Sequence, residues 1–342
     1  MIVAGVEFMK EKPFDTVLIH GLVRDSQGRK MSKSLGNGID PLEIIDSYGA
    51  DALRFMLASG NSPGNDMRYS DEKVKASRNF ANKLWNATRF VMMNLPEDME
   101  ITAQLPETLE LEDKWLVSKL NTLAKEVNEN LEKFELGVAV SKLYDFIWDI
   151  YCDWYIELVK PRLWGDDEED KKVVRFTLVM CLKNMLKLLH PFMPFITEEI
   201  WSFLPHGEEQ ADNPENYLIK AQWPQYSDSC DFPQAERTVE KAKEAIRAIR
   251  NIRAEAEAAP GKKLRAVILA SGSDEADLKA GAAYIKNLGN ITEVTFTENK
   301  ADVPAESMSA VIAGAEIYIP LEDLVDFAAE YDRLTKEKKR LE

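Results

Sequence analysis

Near the N-terminus, five residues that could bind phosphate fall within six consecutive positions. They are three basic and two hydroxyl residues: Arg29, Lys30, Ser32, Lys33 and Ser34. Gly28 and Gly36 bracket them, so the backbone can turn and approach a ligand closely at both ends. Ammonium groups suit phosphate oxygens as compact point charges, and hydroxyl and main-chain N–H groups add donors. The pattern predicts a polyphosphate-binding loop, although an isolated K-x-x-K pair is more often a solvated basic turn.

The surroundings of this cluster favour the loop. The string "GRKMSKSLGN" (residues 28–37) resembles the KMSKS signature loop of class I aminoacyl-tRNA synthetases. Its flanks, "VLIHGLVRD", "IDPLEIIDSYGADALRFMLASG" and "RNFANKLWNATRFV", are more similar to valyl-tRNA synthetase than to the isoleucyl and leucyl enzymes. The resemblance continues through "WYIELVKPRLW" and "LHPFMPFITEEIW" and thins after about residue 225. It is a resemblance to the C-terminal part of a bacterial valyl-tRNA synthetase.

The resemblance implies a reaction and a set of site residues. The family ligates L-valine to tRNA(Val), using ATP with Mg²⁺, through valyl-adenylate. Lys33, and after it Lys30, would make the catalytic contacts to the ATP phosphates. The ATP-binding residues would be His20, Gly21, Lys30, Met31, Ser32, Lys33 and Ser34. For His20, packing in the protein interior is an equally good interpretation.

The resemblance also limits what the chain can do alone. The family's second ATP motif, its valine pocket and its editing domain have no match here, so we expect an incomplete fragment that is inactive by itself. Its partners would be tRNA(Val) and ATP, with valine bound only by the full-length enzyme. We expect a cytoplasmic monomer without a structural zinc ion. The alternatives are a fragment of an isoleucyl-tRNA synthetase and a stand-alone tRNA-binding or scaffolding module.

Composition agrees with a protein that has no membrane span. The 342 residues are 45% hydrophobic and 30% charged, and no apolar run approaches the ~18–20 residues of a membrane helix. Cys152, Cys181 and Cys230 are far apart, which suggests a reducing compartment and gives no metal-ligand spacing.

The net charge of −16 disfavours nucleic-acid binding. However, residues 1–95 carry 13 basic against 11 acidic residues, and screening lets local basic stripes act independently.

The elements that must position the loop follow from local patterns. A short helix is predicted over residues 3–9, and a strand over 15–23 because the segment is apolar and β-branched. A strand, a phosphate loop and then a helix is the order found at the carboxyl edge of a parallel sheet. Asp40 and Pro41 begin a helix that ends at Gly49. A second helix covers 51–59, and 61–65 form a loop.

Beyond residue 70 the apolar period is helical for about 130 residues. Helices are predicted over residues 71–95, 111–134, 136–163, 168–189 and 195–204. The third repeats aromatic residues at helical spacing, which indicates a bundle core: Tyr144, Trp148, Tyr151 and Tyr155. The resemblance places the anticodon-binding domain in this bundle.

One face of the first long helix is polar. Arg78, Asn82, Asn86 and Arg89 share it, with Lys83 beside them and Trp85 expected in the core on the opposite side. By resemblance this face would bind tRNA, but an ordinary solvated face is the other interpretation. The same two interpretations apply to an arginine stripe at positions 247, 250 and 253.

The remaining residues predict a smaller module. A helix over 233–259 buries Ile246, Ile249 and Ile252, and strands follow over 264–270, 291–298 and 308–320, with a helix over 274–288. The expected fold is mainly α: the end of a Rossmann-type catalytic domain with the KMSKS loop, an anticodon-binding helical bundle, a small α+β module and the start of a coiled coil. The corresponding domains are residues 1–70, 71–225, 226–320 and 321–342.

Overall fold

The computed structural model describes residues 1–60, 64–96, 99, 105–205, 216–324 and 335. This part of the chain is rich in helix and carries a small sheet, as predicted. It forms two compact units. The first comprises residues 1–107, 119–154 and 162–231, and the second comprises 108–118, 155–161 and 232–342. Most of the predicted coiled-coil start and the first residues of the 61–65 loop lie outside the described residues.

The elements up to residue 203 are mostly helical. In chain order they are α1 (Ile2–Ala4) with a π-helical continuation (Gly5–Met9), β1 (Val23–Arg24), a 3₁₀ turn (Lys33–Leu35), α2 (Pro41–Tyr48), α3 (Ala50–Ser59), β2 (Met67–Arg68), α4 (Asp71–Met93), α5 (Leu111–Glu132), α6 (Leu136–Asp145), a π-helical segment (Phe146–Tyr155), α7 (Ile156–Leu163), α8 (Glu168–Leu189) and α9 (Pro194–Phe203). The five long helices predicted from the apolar period are confirmed, the third with a π-helical middle.

Side-chain caps set where three of these helices begin. The carboxylate of Asp40 accepts a hydrogen bond from the main-chain N–H of Leu42 at 2.9 Å. Ser70 caps α4 and Asp167 caps α8 in the same way. Each cap satisfies an N–H that the helix itself leaves without a partner. These positions carry the helix-start signal, and the predicted starts of α2, α4 and α8 match the structure.

The predicted strand over residues 15–23 is wrong except at its end. Only Val23–Arg24 is a strand, and it pairs in parallel with Met67–Arg68. Val17 and Ile19 are exposed, at 66% and 74%. A strand needs neighbours for its main-chain groups. Before Val23, Ile19 O accepts from Gly64 N, Leu22 O accepts from Met67 N, and Leu22 N donates to the carboxylate of Asp66.

The aromatic stripe has two parts. Tyr151 and Tyr155 are fully buried, which confirms the core interpretation for them. Tyr144 and Trp148 are half-buried and stack with their ring centroids 5.5 Å apart. Trp85 was expected in the core, but it is half-buried and meets the edge of Phe203 at 6.1 Å. The buried face of α4 instead lies one position away, on residues such as Phe80, Leu84 and Val91.

The second unit contains a four-stranded sheet. After 3₁₀ turns at Leu218–Lys220 and Asp228–Cys230 in the first unit, its elements are α10 (Pro233–Glu255), β3 (Leu264–Ala270), α11 (Gly272–Ala280), α12 (Ala282–Gly289), β4 (Ile291–Thr297), a 3₁₀ turn (Lys300–Asp302), β5 (Ser307–Ile312), β6 (Ala315–Pro320) and α13 (Leu321–Leu324). The strand order is β4-β3-β6-β5, with β3 and β4 parallel and the other pairs antiparallel. Ile246, Ile249 and Ile252 are buried on α10, as predicted.

Two predictions for this unit need correction. The strand predicted over 308–320 is a hairpin, because Gly314 adopts φ +72° and turns the chain between β5 and β6. The helix predicted over 274–288 is interrupted at Gly281. A Cβ at Gly281 would lie 2.7 Å from the Cβ of Ala242, so glycine lets α10 approach closely there.

Candidate functional site

A tight turn after β1 begins the basic loop. The main-chain N–H of Asp25 donates to Arg29 O at 3.0 Å, and that of Gly28 donates to Asp25 O at 2.9 Å. Gly28 adopts φ +81°, and a Cβ there would lie 3.0 Å from the guanidinium of Arg68. The left-handed conformation and the close contact both favour glycine at this position.

The Asp25 carboxylate holds the turn together. It is only 6% exposed and accepts four hydrogen bonds. Its Oδ1 accepts from the main-chain N–H groups of Gln27 and Arg29 at 3.1 and 2.7 Å. Its Oδ2 accepts from Arg29 Nε at 2.7 Å and from Asn37 Nδ2 at 2.9 Å. These hydrogen bonds, that of Asn37 foremost, lower the pKa of Asp25 to about 2 against the opposing effect of burial.

Asn37 closes the loop from its far end. Besides donating to Asp25, its Nδ2 donates to Lys30 O at 3.2 Å. Its Oδ1 accepts from the main-chain N–H of Ser32 at 2.9 Å. One amide side chain therefore joins the turn at Asp25 to both the carbonyl of Lys30 and the N–H of Ser32. The chain between Lys30 and Asn37 is thereby held as a closed loop.

Within this loop a 3₁₀ turn carries Lys33. The Ser32 hydroxyl accepts from Leu35 N at 3.3 Å and caps the turn Lys33–Leu35, which Gly36 ends at φ +61°. The Ser34 hydroxyl lies 3.2 Å from that of Ser32.

The two lysines of the loop have no acidic partner. Lys30 and Lys33 are exposed, and no described carboxylate lies within 4 Å of either ammonium. Arg29, in contrast, is paired with Asp25. The loop thus presents two unneutralised ammonium groups and small hydroxyls to solvent, which is the donor set that phosphate oxygens require.

The other side of the loop is anchored in a small apolar cluster. Met31 and Ile39 pack against buried residues that include Ala52 and Met56 of α3. Met31 therefore contributes to packing in this structure, whereas the lysines on either side of it remain accessible.

His20 and Gly21 lie at the other end of β1 from the loop. His20 is exposed, and its Nδ1 is 2.7 Å from Gly21 O, so the structure does not support the packed-histidine interpretation. A Cβ on Gly21 would come within 1.7 Å of Asn65 O, so only glycine allows this approach of two backbones. Asp66, next to Asn65, pairs with Arg24 at 2.5 Å.

On α4 the predicted polar face is present. Arg78, Asn82, Asn86 and Arg89 are all exposed, and the guanidinium of Arg78 lies 5.7 Å from the ring centroid of Tyr48. Lys83 stands apart from this set, because it pairs with Asp153 at 2.5 Å. Its ammonium also lies 3.9 Å from the ring centroid of Trp148.

Sequence patterns did not single out the residues that hold the loop. Asp25 and Asn37 both belong to the strings that carry the family resemblance, at the end of "VLIHGLVRD" and of "GRKMSKSLGN". Their roles depend on a contact between side chains twelve positions apart. In the arginine stripe, Arg250 donates to Leu288 O and Arg253 to Lys262 O. These two arginines therefore contact the backbone of their own unit.

Two family models match the chain. Residues 1–70 match tRNA synthetases class I (I, L, M and V), and residues 113–268 match the anticodon-binding domain of tRNA ligase. The valine–tRNA ligase of Clostridium perfringens is 51% identical over 342 residues, which are 100% of this chain and 38% of the relative. That of Clostridium acetobutylicum is 48% identical over 341 residues, with the same two shares. Over its whole length, this chain is similar to a part of the valine–tRNA ligases.

The chain corresponds to only a part of each relative. The chain spans 38% of the length of each of these two valine–tRNA ligases. Among solved structures, the ternary complex of Agrobacterium radiobacter K84 LeuRS with tRNA and LeuAMS resembles it with a TM-score of 0.51 at 22% identity. That likeness covers 68% of this chain and 27% of the LeuRS chain, and it shows a shared fold.

Two further findings concern the described residues. They contain no group of three or more His, Cys, Asp or Glu side chains that could hold a metal ion. None of their helices is both long enough and apolar enough to cross a membrane.

Proposed function

We propose that this chain supplies the ATP-phosphate loop and the tRNA-binding helices of a valine–tRNA ligase, which joins L-valine to tRNA(Val) with ATP through valyl-adenylate. The observation that carries the proposal is identity of 51% along the whole chain to such an enzyme. The loop geometry supports it, because the segment that resembles the KMSKS signature is held closed and presents two free lysines.

The proposed chemistry uses the positive charge of the loop. When the carboxylate of valine attacks the α-phosphate of ATP, negative charge develops on the departing pyrophosphate. Lys33 and Lys30 would contact the β and γ phosphates, with the hydroxyls of Ser32 and Ser34 as further donors. Contacts of this kind accelerate the reaction if they are stronger in the transition state than in the ground state.

Magnesium would enter this site with ATP. The carboxylate of Asp25 is the acidic group that holds the loop, and each of its two oxygens already accepts two hydrogen bonds. The loop therefore offers cations and hydroxyls, and the ion would be held through the phosphates it accompanies. Bound there, Mg²⁺ would neutralise phosphate charge alongside the lysines.

The tRNA surface is proposed on α4. Arg78 and Arg89 supply exposed charge, Asn82 and Asn86 supply amide donors and acceptors between them, and Lys83 borders the face. We further propose that residues 1–70 end the catalytic domain, 71–225 form the anticodon-binding bundle, 226–320 form an added module and 321–342 begin the coiled-coil arm. The family-model match over residues 1–70 supports the first assignment, and the anticodon-binding match over residues 113–268 supports a tRNA-binding bundle but not its proposed bounds.

Titration of the 342-residue chain with tRNA tests this surface. We expect weak binding of valine tRNA with a shallow salt dependence. Few basic residues are available, and each phosphate that they neutralise adds only ~0.7–0.9 to the slope of log K against log[salt]. Arg78→Glu should weaken binding, whereas Lys133→Glu, a matched reversal at an exposed position at the end of α5, should leave it unchanged. A transcript with a changed anticodon shows whether the anticodon is read. Equal effects of the two reversals would contradict the proposed surface.

A further inference from the structure

A cavity in the first unit lies apart from both proposed surfaces. It is about 340 Å³ in volume and lies between the end of α8, the start of α9 and residues 218–223. Its walls are mainly apolar: Pro191, Pro194, Leu218 and the indole of Trp223. Its polar lining comes from Lys187 and His190. Ligand pockets are ~300–1,000 Å³, so this one has room for one small ligand.

Lys187 supplies a cation that no described carboxylate neutralises. Its side chain is half-buried, and no described carboxylate lies within 4 Å of its ammonium. The centroid of the Trp201 ring lies 5.9 Å from this ammonium. Burial lowers the pKa of Lys187. Because an ammonium that has lost part of its hydration gains most from an anion, this wall of the cavity suits a negatively charged ligand.

Lys183, one turn earlier on α8, has similar surroundings to Lys187 but different contacts. It is also half-buried, and its ammonium lies 5.1 Å from the centroid of the same Trp201 ring. Its ammonium, however, donates to the main-chain oxygen of Pro205, and it does not line the cavity. Of two lysines in similar surroundings, Lys183 donates to a main-chain oxygen and Lys187 lines the cavity.

The flat wall of the cavity is fixed in orientation. Trp223 Nε1 donates to Asn128 Oδ1 at 2.5 Å, and Asn128 Nδ2 donates to Pro224 O at 3.3 Å. The indole is thus held from its polar edge, and Trp223 lines the cavity. A fixed aromatic ring favours stacking, because little side-chain entropy is lost when a second ring packs on it.

His190 adds a neutral polar group. Its Nδ1 is 2.7 Å from Thr197 Oγ1, and its Nε2 is 3.9 Å from a carboxylate oxygen of Glu198. Burial lowers the pKa of His190 despite the opposing effect of Glu198 and Asp51. At neutral pH the imidazole is therefore uncharged, and Lys187 is the positive charge among the lining residues.

We propose that this cavity binds one unstacked nucleotide, with its base against Trp223 and its phosphate at Lys187. A flat apolar ring joined to a single anionic group matches the indole, the prolines and the one ammonium. A long acyl chain would not use the fixed aromatic wall, and an inorganic anion would leave the apolar walls uncovered. The proposal does not rest on the function proposed above. The ligand could be a free mononucleotide or one residue of an RNA.

Titration of the full chain with the four 5′-mononucleotides, followed by ligand-observed NMR, tests the proposal. We expect at least one mononucleotide to bind, and the matching nucleoside to bind about tenfold or more weakly, because it lacks the charge-assisted contact. Lys187→Gln should weaken mononucleotide binding by the same factor. Lys183→Gln is the matched control and should leave the dissociation constant unchanged.

A second variant tests the cavity without changing any charged residue. Ala221 lines the cavity, and Ala221→Leu should fill part of it and weaken binding with Lys187 intact. The proposal is overturned if no mononucleotide binds, if nucleoside and nucleotide bind equally, or if binding survives both Lys187→Gln and Ala221→Leu in folded protein. Competition by tRNA assigns the site to an RNA residue, and absence of competition assigns it to a free mononucleotide. The Arg78→Glu titration tests the proposed function separately.

Discussion

The loop should open when Asn37 is replaced by alanine. Asn37→Ala removes the acceptor for the N–H of Ser32, the donor to Lys30 O and the donor to Asp25. The two neutral hydrogen bonds contribute ~0.5–1.5 kcal/mol each. Together they predict a loss of ~1–3 kcal/mol from the closed loop, or ~5- to 150-fold in the equilibrium between closed and open forms. Loss of the contact to Asp25 adds to this effect.

Hydrogen exchange measured by mass spectrometry can detect this opening. In Asn37→Ala, exchange in a peptide covering residues 24–38 should accelerate by that factor, while peptides from α8 keep their protection. Gln27→Ala is the matched control, because it removes an exposed amide side chain from the same turn and keeps the N–H that Asp25 accepts. Unchanged exchange in Asn37→Ala, or equal acceleration in Gln27→Ala, would refute the assignment of Asn37 as the residue that closes the loop.

Three further predictions concern Asp25, Asp51 and Arg89. Because the folded pKa of Asp25, about 2, lies below its ordinary value, its contribution to the loop is complete above pH ~4 and is lost only as the pH falls through about 2. A carboxyl NMR titration should show that midpoint, and a midpoint near 4 would contradict it. Asp51 accepts from two main-chain N–H groups of α9. Asp51→Ala should therefore lower the free energy of unfolding by ~1–3 kcal/mol in urea titrations, whereas Asp46→Ala, at an exposed position of α2, should change it little. Arg89→Glu should weaken tRNA binding in a filter assay without changing the melting temperature, and unchanged binding would remove Arg89 from the proposed surface.

The helices were predictable because their signals are local. Asp40, Ser70 and Asp167 cap helices within three residues of themselves, and the buried face of α4 repeats at the helical period. The apolar, β-branched residues 15–23 predicted a strand that the structure shows only at Val23–Arg24. A strand is completed by neighbours that local composition does not specify. Likewise, the hairpin at Gly314 depends on one residue in the left-handed conformation within an otherwise continuous apolar run.

The loop itself was predictable, but the contacts that hold it were not. Lys30, Lys33 and the two serines lie within five consecutive positions, so the role proposed for them follows from spacing and resemblance. Asp25 and Asn37 meet across twelve positions, and the cavity at Lys187 and Trp223 joins residues 36 positions apart. Such contacts arise from tertiary packing, and no periodicity in the sequence marks them.

The central proposal is that this chain provides the ATP-phosphate loop of a valine-activating enzyme. The most direct measurement replaces the matching segment of the Clostridium perfringens valine–tRNA ligase with these 342 residues and follows valine-dependent exchange of pyrophosphate into ATP. We predict that the chimera is active, and that Lys33→Ala lowers its single-turnover rate of adenylate formation by ~10²–10³ with little change in valine binding. A folded chimera that does not activate valine, or one that is indifferent to Lys33→Ala, would contradict the claim.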